Sequence, residues 1–212
     1  MIKEKLSAIL SSIPSEVTLV AVSKTKPIDR IEEAYESGQL DFGENKVQEM
    51  VDKAAVLSKN IRWHMIGHLQ RNKVKYIAPF VSLIHSVDSQ RLLNEIDKQG
   101  KKNGRVIDCL LQVRIAQEET KFGLTYEDCD ALLQQFDCTN VRIRGLMGMA
   151  SFTANQDQIE EEFKLLQHYY DQHQSQQQWD ILWMGMSGDY PLALRCGSNM
   201  IRIGSSIFGA RN

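Results

Sequence analysis

The chain has 212 residues, 42% hydrophobic and 25% charged, the balance of a folded protein with room for a sizeable core. A formal net charge of -2 and the lack of any basic block argue against electrostatically driven binding to nucleic acid or a membrane surface. The four cysteines, Cys109, Cys129, Cys138 and Cys196, form neither a CxxC pair nor a metal-ligand spacing, which predicts a cytoplasmic protein with reduced thiols.

At the start of the chain, Ile2, Leu6, Ile9, Leu10 and Ile13 recur at helical spacing. No continuous apolar stretch is long enough for a signal peptide or a membrane span, so a soluble, non-exported protein is expected. The first strand, VTLVAVS (17–23), hands over to Lys24, Thr25, Lys26 and Pro27. A solvated strand-end charge and a placed, reactive amine both fit Lys24 at that point. Pro27 then opens a helix, PIDRIEEAYESG, that closes at Gly38.

Further strands are predicted at LDFG (40–43), IRWHMIG (61–67), SLIHSVD (82–88), RVIDCLLQVR (105–114), VRIRGLMGM (141–149), ILWMGMS (181–187) and MIRIG (200–204). Most are near-continuous runs of Val, Ile and Leu, as parallel strands covered on both faces require. Helical segments separate them: ENKVQEMVDKAAVLSKN, the shorter LQRNKVKYIA, and DSQRLLNEIDKQGKKNG with Asp88 or Ser89 as cap. TYEDCDALLQQF, NQDQIEEEFKLLQHYYDQHQ and a last turn at YPLALRC follow, and the tract DQHQSQQQ reads as a solvated helix end and loop. Eight strands joined through helices predict one domain over 1–212, an α/β (β/α)8 TIM barrel. A doubly wound open sheet is disfavoured, because no GxGxxG follows the first strand.

In such barrels chemistry sits at the carboxyl ends of the strands. Those ends offer Lys24, Glu44-Asn45, the HMIGH segment, His85-Ser86, Arg114, Met147, Ser187-Gly188 and Arg202 with Gly204-Ser205. Gly197, Ser198, Gly204, Ser205 and Ser206 around Arg202 make either a phosphate cradle or plain tight turns. A lysine whose pKa is lowered at a barrel mouth attacks carbonyl carbon. Beside a phosphate cradle it suits pyridoxal 5′-phosphate (PLP) or a sugar phosphate in a Schiff-base aldolase, and the residues alone leave both open.

Other candidates have bland readings. His64 and His68 are four apart, but Gly67 and a strand-to-loop crossing separate their faces, so metal binding is set aside. His85 reads as a hydrogen-bonded barrel residue, Trp63 and Trp183 as packed beneath helices, and Tyr169 and Tyr170 as surface or contact residues. Met147 with Met149, and Met184 with Met186, stand two apart on strands, so each pair is expected to share a face.

AVSKTKP, FGENKVQE, WHMIGHLQRNK, HSVDS, KFGL, GLMGM, and MGMSGDYPLAL followed by GSNMIRIGSSIFGAR together resemble the pyridoxal-phosphate homeostasis proteins (the YggS/PROSC family), in that family's order from Leu19 to Arg211. The resemblance implies an alanine-racemase-like barrel lacking that enzyme's C-terminal β domain. It also implies Lys24 as the residue forming an internal aldimine with PLP, and Asn45 near the ring's phenolic oxygen. Ser187, Gly197, Ser198, Gly204 and Ser205 would hold the phosphate, and Arg202 would face the pyridine nitrogen, which it keeps unprotonated. Met65, Ile66, Ser86 and Met147 would line the pocket. Two departures stand out: Asn199 follows Ser198 where threonine is common, and Phe122 occupies a place often small, leaving the role of Lys121 open.

Racemisation needs a base on each face of the cofactor, and the racemases draw the second, a tyrosine, from a partner's extra domain. The chain ends at Asn212 without that domain, and Tyr190 has no evident route over the ring. The expectation is therefore a PLP-binding protein without dedicated turnover, active in vitamin B6 and amino-acid or keto-acid balance. PLP-dependent apo-enzymes would be recipients, and a monomer is expected. The alternatives are a PLP-dependent amino-acid racemase, a Schiff-base aldolase, or a regulatory module acting through a protein partner.

Overall fold

A computed structural model describes residues 2–118 and 122–209. Lys121 and Arg211, singled out above, lie outside the described residues. Eight parallel strands close into a barrel in chain order: β1 (Thr18–Val22), β2 (Asp41–Glu44), β3 (Arg62–Met65), β4 (Leu83–Val87), β5 (Ile107–Val113), β6 (Val141–Gly148), β7 (Ile181–Met184) and β8 (Met200–Ile203). β1 pairs with both β2 and β8, which is the closure.

Around it run α1 (Ile2–Ser12), α2 (Ile28–Glu36), α3 (Val47–Val56), α4 (Val74–Ile77), α5 (Gln90–Lys102), α6 (Tyr126–Gln134), α7 (Gln156–Gln177), α8 (Tyr190–Arg195) and α9 (Ser205–Phe208). The third crossover, from β3 to β4, opens with a 3₁₀ turn, Arg71–Lys73, ahead of the four-residue α4. Alternation along each strand sorts the apolar residues. In β1, Val20 points into the barrel while Leu19 and Ala21 face the helices. The interior cluster joins Val20, Leu83, Leu110, Met147, Ile181, Trp183 and Met200, and the larger core lies between strands and helices.

The structure amends several local expectations. Pro27 is the N-cap of α2 instead of its first helical residue, and Ser89, whose Oγ accepts from Leu92 N at 3.3 Å, caps α5. α7 continues through most of the glutamine tract to Gln177, and Gln178 ends it at φ 55°. Glutamine is a good helix former, and the chain then returns to stack Trp179 on Tyr170 and His173. Tyr169 and Tyr170 are buried, and Tyr169 donates to Asp130 at 2.6 Å.

Trp63 packs under the helices beside Phe42, whereas Trp183 stands inside the barrel. β7 stops at Met184 because Gly185 takes φ 89°, where a Cβ would also come within 2.6 Å of the Ala193 methyl. Met184 thus faces the helices while Met186 emerges at the mouth, 45% exposed, so this pair shares no face. Met147 and Met149 do lie on one side, toward the interior.

Candidate functional site

A cavity of about 420 Å³ opens where the strands end. Lys24 reaches it from a turn that its neighbours build. Lys26 N donates to Ser23 O at 3.0 Å, closing four residues, and Thr25 takes φ 63° inside the turn. A non-glycine residue there is strained, so something must hold it. Glu49, on α3, accepts from Thr25 N at 2.5 Å. Lys53 donates to Ser23 O (2.8 Å), Glu44 Oε1 (2.8 Å) and Glu49 Oε1 (2.7 Å), and Ser23 Oγ donates to Glu44 at 2.6 Å.

Glu44 is fully buried, and burial raises its carboxyl pKa against the opposing pull of Lys53. Burial would raise Glu49 too, yet the bonds from Lys53 and Thr25 outweigh it and hold that carboxyl below its usual value. This ionic knot fixes the turn. The lysine itself is only half-buried, at the cavity wall.

The adjoining wall comes from β2 and β3. Gly67 passes so close to Asn45 that a Cβ would lie 2.3 Å from Asn45 O, which only glycine tolerates. Asn45, Ile66 and Gly67 all line the cavity. Ser86 instead donates to Gly67 O at 2.6 Å behind that wall, and Met65 points to the helices. Neither lines the cavity, since Met65 falls on the outward phase of β3 and the Ser86 hydroxyl is already engaged.

Ser187, Gly204 and Ser205 line the cavity on the other flank of β1, on the loops that leave β7 and β8. Gly197 and Ser198 do not, because they belong to the segment entering β8. The Ser198 hydroxyl accepts from Met184 N at 3.0 Å and lies 2.9 Å from both Met184 O and Met200 O, stitching β7 to β8. Asn199 continues the stitch, accepting from Leu182 N at 2.9 Å and donating to Asp180 O at 2.8 Å.

Arg202 is 6% exposed and rises from the interior to the cavity floor. Its Cζ sits 3.6 Å from the Trp183 ring centroid, a cation–π contact. Burial pushes the guanidinium well below the ordinary arginine value. Arg202 Nε, Arg202 Nη2 and Trp183 Nε1 are buried without a hydrogen-bond partner among the described residues. Orphaned donors of this kind are costly unless a ligand satisfies them.

At the rim, His68 stacks on Phe122 at 4.6 Å, and Gln112 donates to Phe122 O at 3.0 Å. Val22, Lys26, Met149, Met186 and Gly209 complete the lining, with Lys26 Nζ donating to Gly209 O at 3.2 Å. None of these, nor Gly67, His68, Gln112 and Phe122, stood among the expected pocket residues. Gln112 was readable from the phase of β5, whereas Lys26 follows a turn and the His68–Phe122 lid joins two distant loops, which leaves no local signal. Among the described residues no group of three or more His, Cys, Asp or Glu side chains could hold a metal.

An amine, a rim of small hydroxyl-bearing residues and a buried cation with free donors suit a phosphorylated aromatic aldehyde. The family model for the alanine racemase N-terminal domain matches residues 1–212. The pyridoxal phosphate homeostasis protein of Haemophilus influenzae is 38% identical over 203 residues, covering 92% of this chain and 86% of that one. The chain belongs to the pyridoxal phosphate homeostasis proteins. Within this family, PipY of Synechococcus elongatus, solved with PLP bound, superposes with a TM-score of 0.91 at 36% identity over 99% of this chain and all of PipY. An alanine racemase from Clostridium difficile shares the fold alone, with a TM-score of 0.78 at 13% identity over 99% of this chain and 56% of the racemase. The present family member thus shares its closed parallel barrel with the superposed part of the racemase. Among its described residues no helix is long and apolar enough to cross a membrane.

Proposed function

We propose that this protein binds pyridoxal 5′-phosphate in the mouth cavity and serves intracellular PLP balance as a carrier. The observation that carries the reading is the meeting of Lys24, the Ser187, Gly204 and Ser205 loops, and Arg202 around one cavity. When bound, the cofactor supplies an aldehyde that condenses with a neutral amine, releasing one water. Lys24 is the amine in this reading. Ser187, Gly204 and Ser205 receive the phosphate, Arg202 offers a donor to the pyridine nitrogen, Asn45 meets the phenolic oxygen, and Ile66 and Met147 pack on the ring.

Dedicated turnover is not part of the proposal. Tyr190 begins α8 and does not line the cavity, and the two lining lysines leave the same turn. That arrangement supports a binder without a second base over the ring. A cytoplasmic monomer that passes PLP to apo-enzymes completes the reading. Incubation with PLP is expected to give a visible absorption band, trapped by borohydride on Lys24 in peptide mapping and absent in Lys24→Ala. Labelling scattered over surface lysines would sink the proposal and favour a sugar phosphate.

A further inference from the structure

The mouth carries a pair of rings that the cofactor reading does not use. His68 stands on the loop leaving β3, and Phe122 on the loop leaving β5. Their rings stack with centroids 4.6 Å apart and planes 22° apart, and both line the cavity. β4 lies between those two strands in the barrel, so the stack spans the end of β4. In a ring of eight strands β4 is the farthest from β8, so the pair faces the Gly204-Ser205 loop across the opening. Phe122 is 60% exposed and the His68 side chain 47%. Two rings that line a cavity while half open to water are a partition between the two, not core packing.

The main chain aims both rings. Next to His68, Gly67 is wedged against Asn45, and Ser86 Oγ donates to Gly67 O at 2.6 Å. Phe122 O accepts from Gln112 Nε2 at 3.0 Å. Two residues on, Leu124 is bound into the edge of β5: Leu124 N donates to Gln112 O at 2.8 Å, and Arg114 N to Leu124 O at 2.9 Å. Gly123 joins the two at φ 138°, where a Cβ would lie 2.6 Å from Arg114 N, so only glycine makes this turn. The side chains are held less firmly. His68 Nδ1 lies 3.6 Å from Asp88 Oδ2, and the ring also borders a hollow of about 320 Å³ walled by Lys46, Gln48, Gln70, Lys73 and Tyr76. It therefore has room to swing aside while both backbones stay in place. Aromatic stacks of this kind favour the paired state roughly two- to tenfold, so the pair is mostly closed and opens by side-chain rotation.

We propose that His68 and Phe122 form a door that decides how large a molecule reaches Lys24 and how fast a bound ligand leaves. A small aldehyde or amine passes beside the stack, whereas one of aromatic size waits for it to open. A door acts on entry and exit alike, so it changes both rates and leaves the equilibrium affinity in place. The effect on the cofactor rests on the PLP reading above, whereas size selection at Lys24 does not.

Two measurements keep these apart. Without PLP, Lys24 is labelled by formaldehyde or by benzaldehyde in the presence of cyanoborohydride, and the product is quantified by peptide mapping. Phe122→Ala and His68→Ala should each speed benzaldehyde labelling roughly fivefold, as loss of such a stack implies, and leave formaldehyde labelling unchanged. The double variant should be no faster than either single one, because each alone dismantles the stack. Phe122→Trp, which keeps the stack, should stay slow. With PLP, stopped-flow capture and release into a trapping amine should quicken by the same factor in both alanine variants, with Kd unchanged. Benzaldehyde rates equal across the variants, a gain shared by formaldehyde, or a Kd altered through release alone overturns the door. A wild-type protein that binds no PLP overturns the cofactor reading and leaves the door to the labelling result.

Discussion

Ser187 and Ser198 are the same residue type in opposite settings, and energetics separate them. Ser198 spends its hydroxyl between β7 and β8, so Ser198→Ala should cost about 1–2 kcal/mol of stability and leave PLP affinity intact. Ser187, at the cavity, should show the reverse: an alanine there weakens PLP binding with little change in the melting temperature. Arg202 separates the two quantities further. A buried cation with no carboxylate partner among the described residues is costly, so Arg202→Met should leave the apo-protein equally or more stable. Its PLP affinity should fall at least about tenfold, or about 1.4 kcal/mol, measured by absorption titration. A matched fall in stability and affinity would mean that Arg202 serves packing alone. At this scale strand-end position was enough to bring Lys24 and Arg202 to the cavity, whereas Ser198 lies off its lining, because the direction of approach to β8 is a property of the path, not of the residue.

Between strand and helix the decisive unit is the Ser23–Lys26 turn with α3 behind it. Thr25 at φ 63° carries a cost of about 1 kcal/mol that Glu49 and Lys53 offset. Glu49→Gln should therefore slow covalent capture of PLP severalfold in a stopped-flow trace. Thr25→Gly in the same background should restore the rate, because glycine takes positive φ freely. No recovery would mean that the α3 carboxylate acts directly on the amine. At the other end of the barrel, Asp41 pins β2 to Arg62 on β3. Its folded pKa of about 2 lies below the ordinary aspartate value, so its contribution is complete above pH ~4 and is lost as pH falls toward 2. It amounts to about 2 kcal/mol, and urea midpoints of Asp41→Asn should be flatter than wild type across that window. The helices and strands themselves were legible from apolar runs, caps and proline. What was not legible was the end of β7, since a glycine can continue a strand or break it, and packing against α8 chose the break.

For the whole molecule, a closed barrel puts the amine of β1, the loops after β7 and β8 and the rim of β5 around one opening. An opening on the surface suits handover of a ligand. If the protein delivers PLP directly, an apo-enzyme should regain activity from the loaded protein faster than PLP is released into buffer with a trapping amine. Equal rates would reduce the protein to a store. The chain by itself determined the strand count, the parallel order implied by long apolar runs and the family, because these are written in local pattern and motif. Tertiary structure alone decided which serines reach the cavity, that Trp183 and Arg202 stack inside the barrel, and that Asp41, His64 and His85 join into one line. Those facts depend on strand phase and on contacts between residues distant in sequence, where a single step turns a side chain from the interior to the helices.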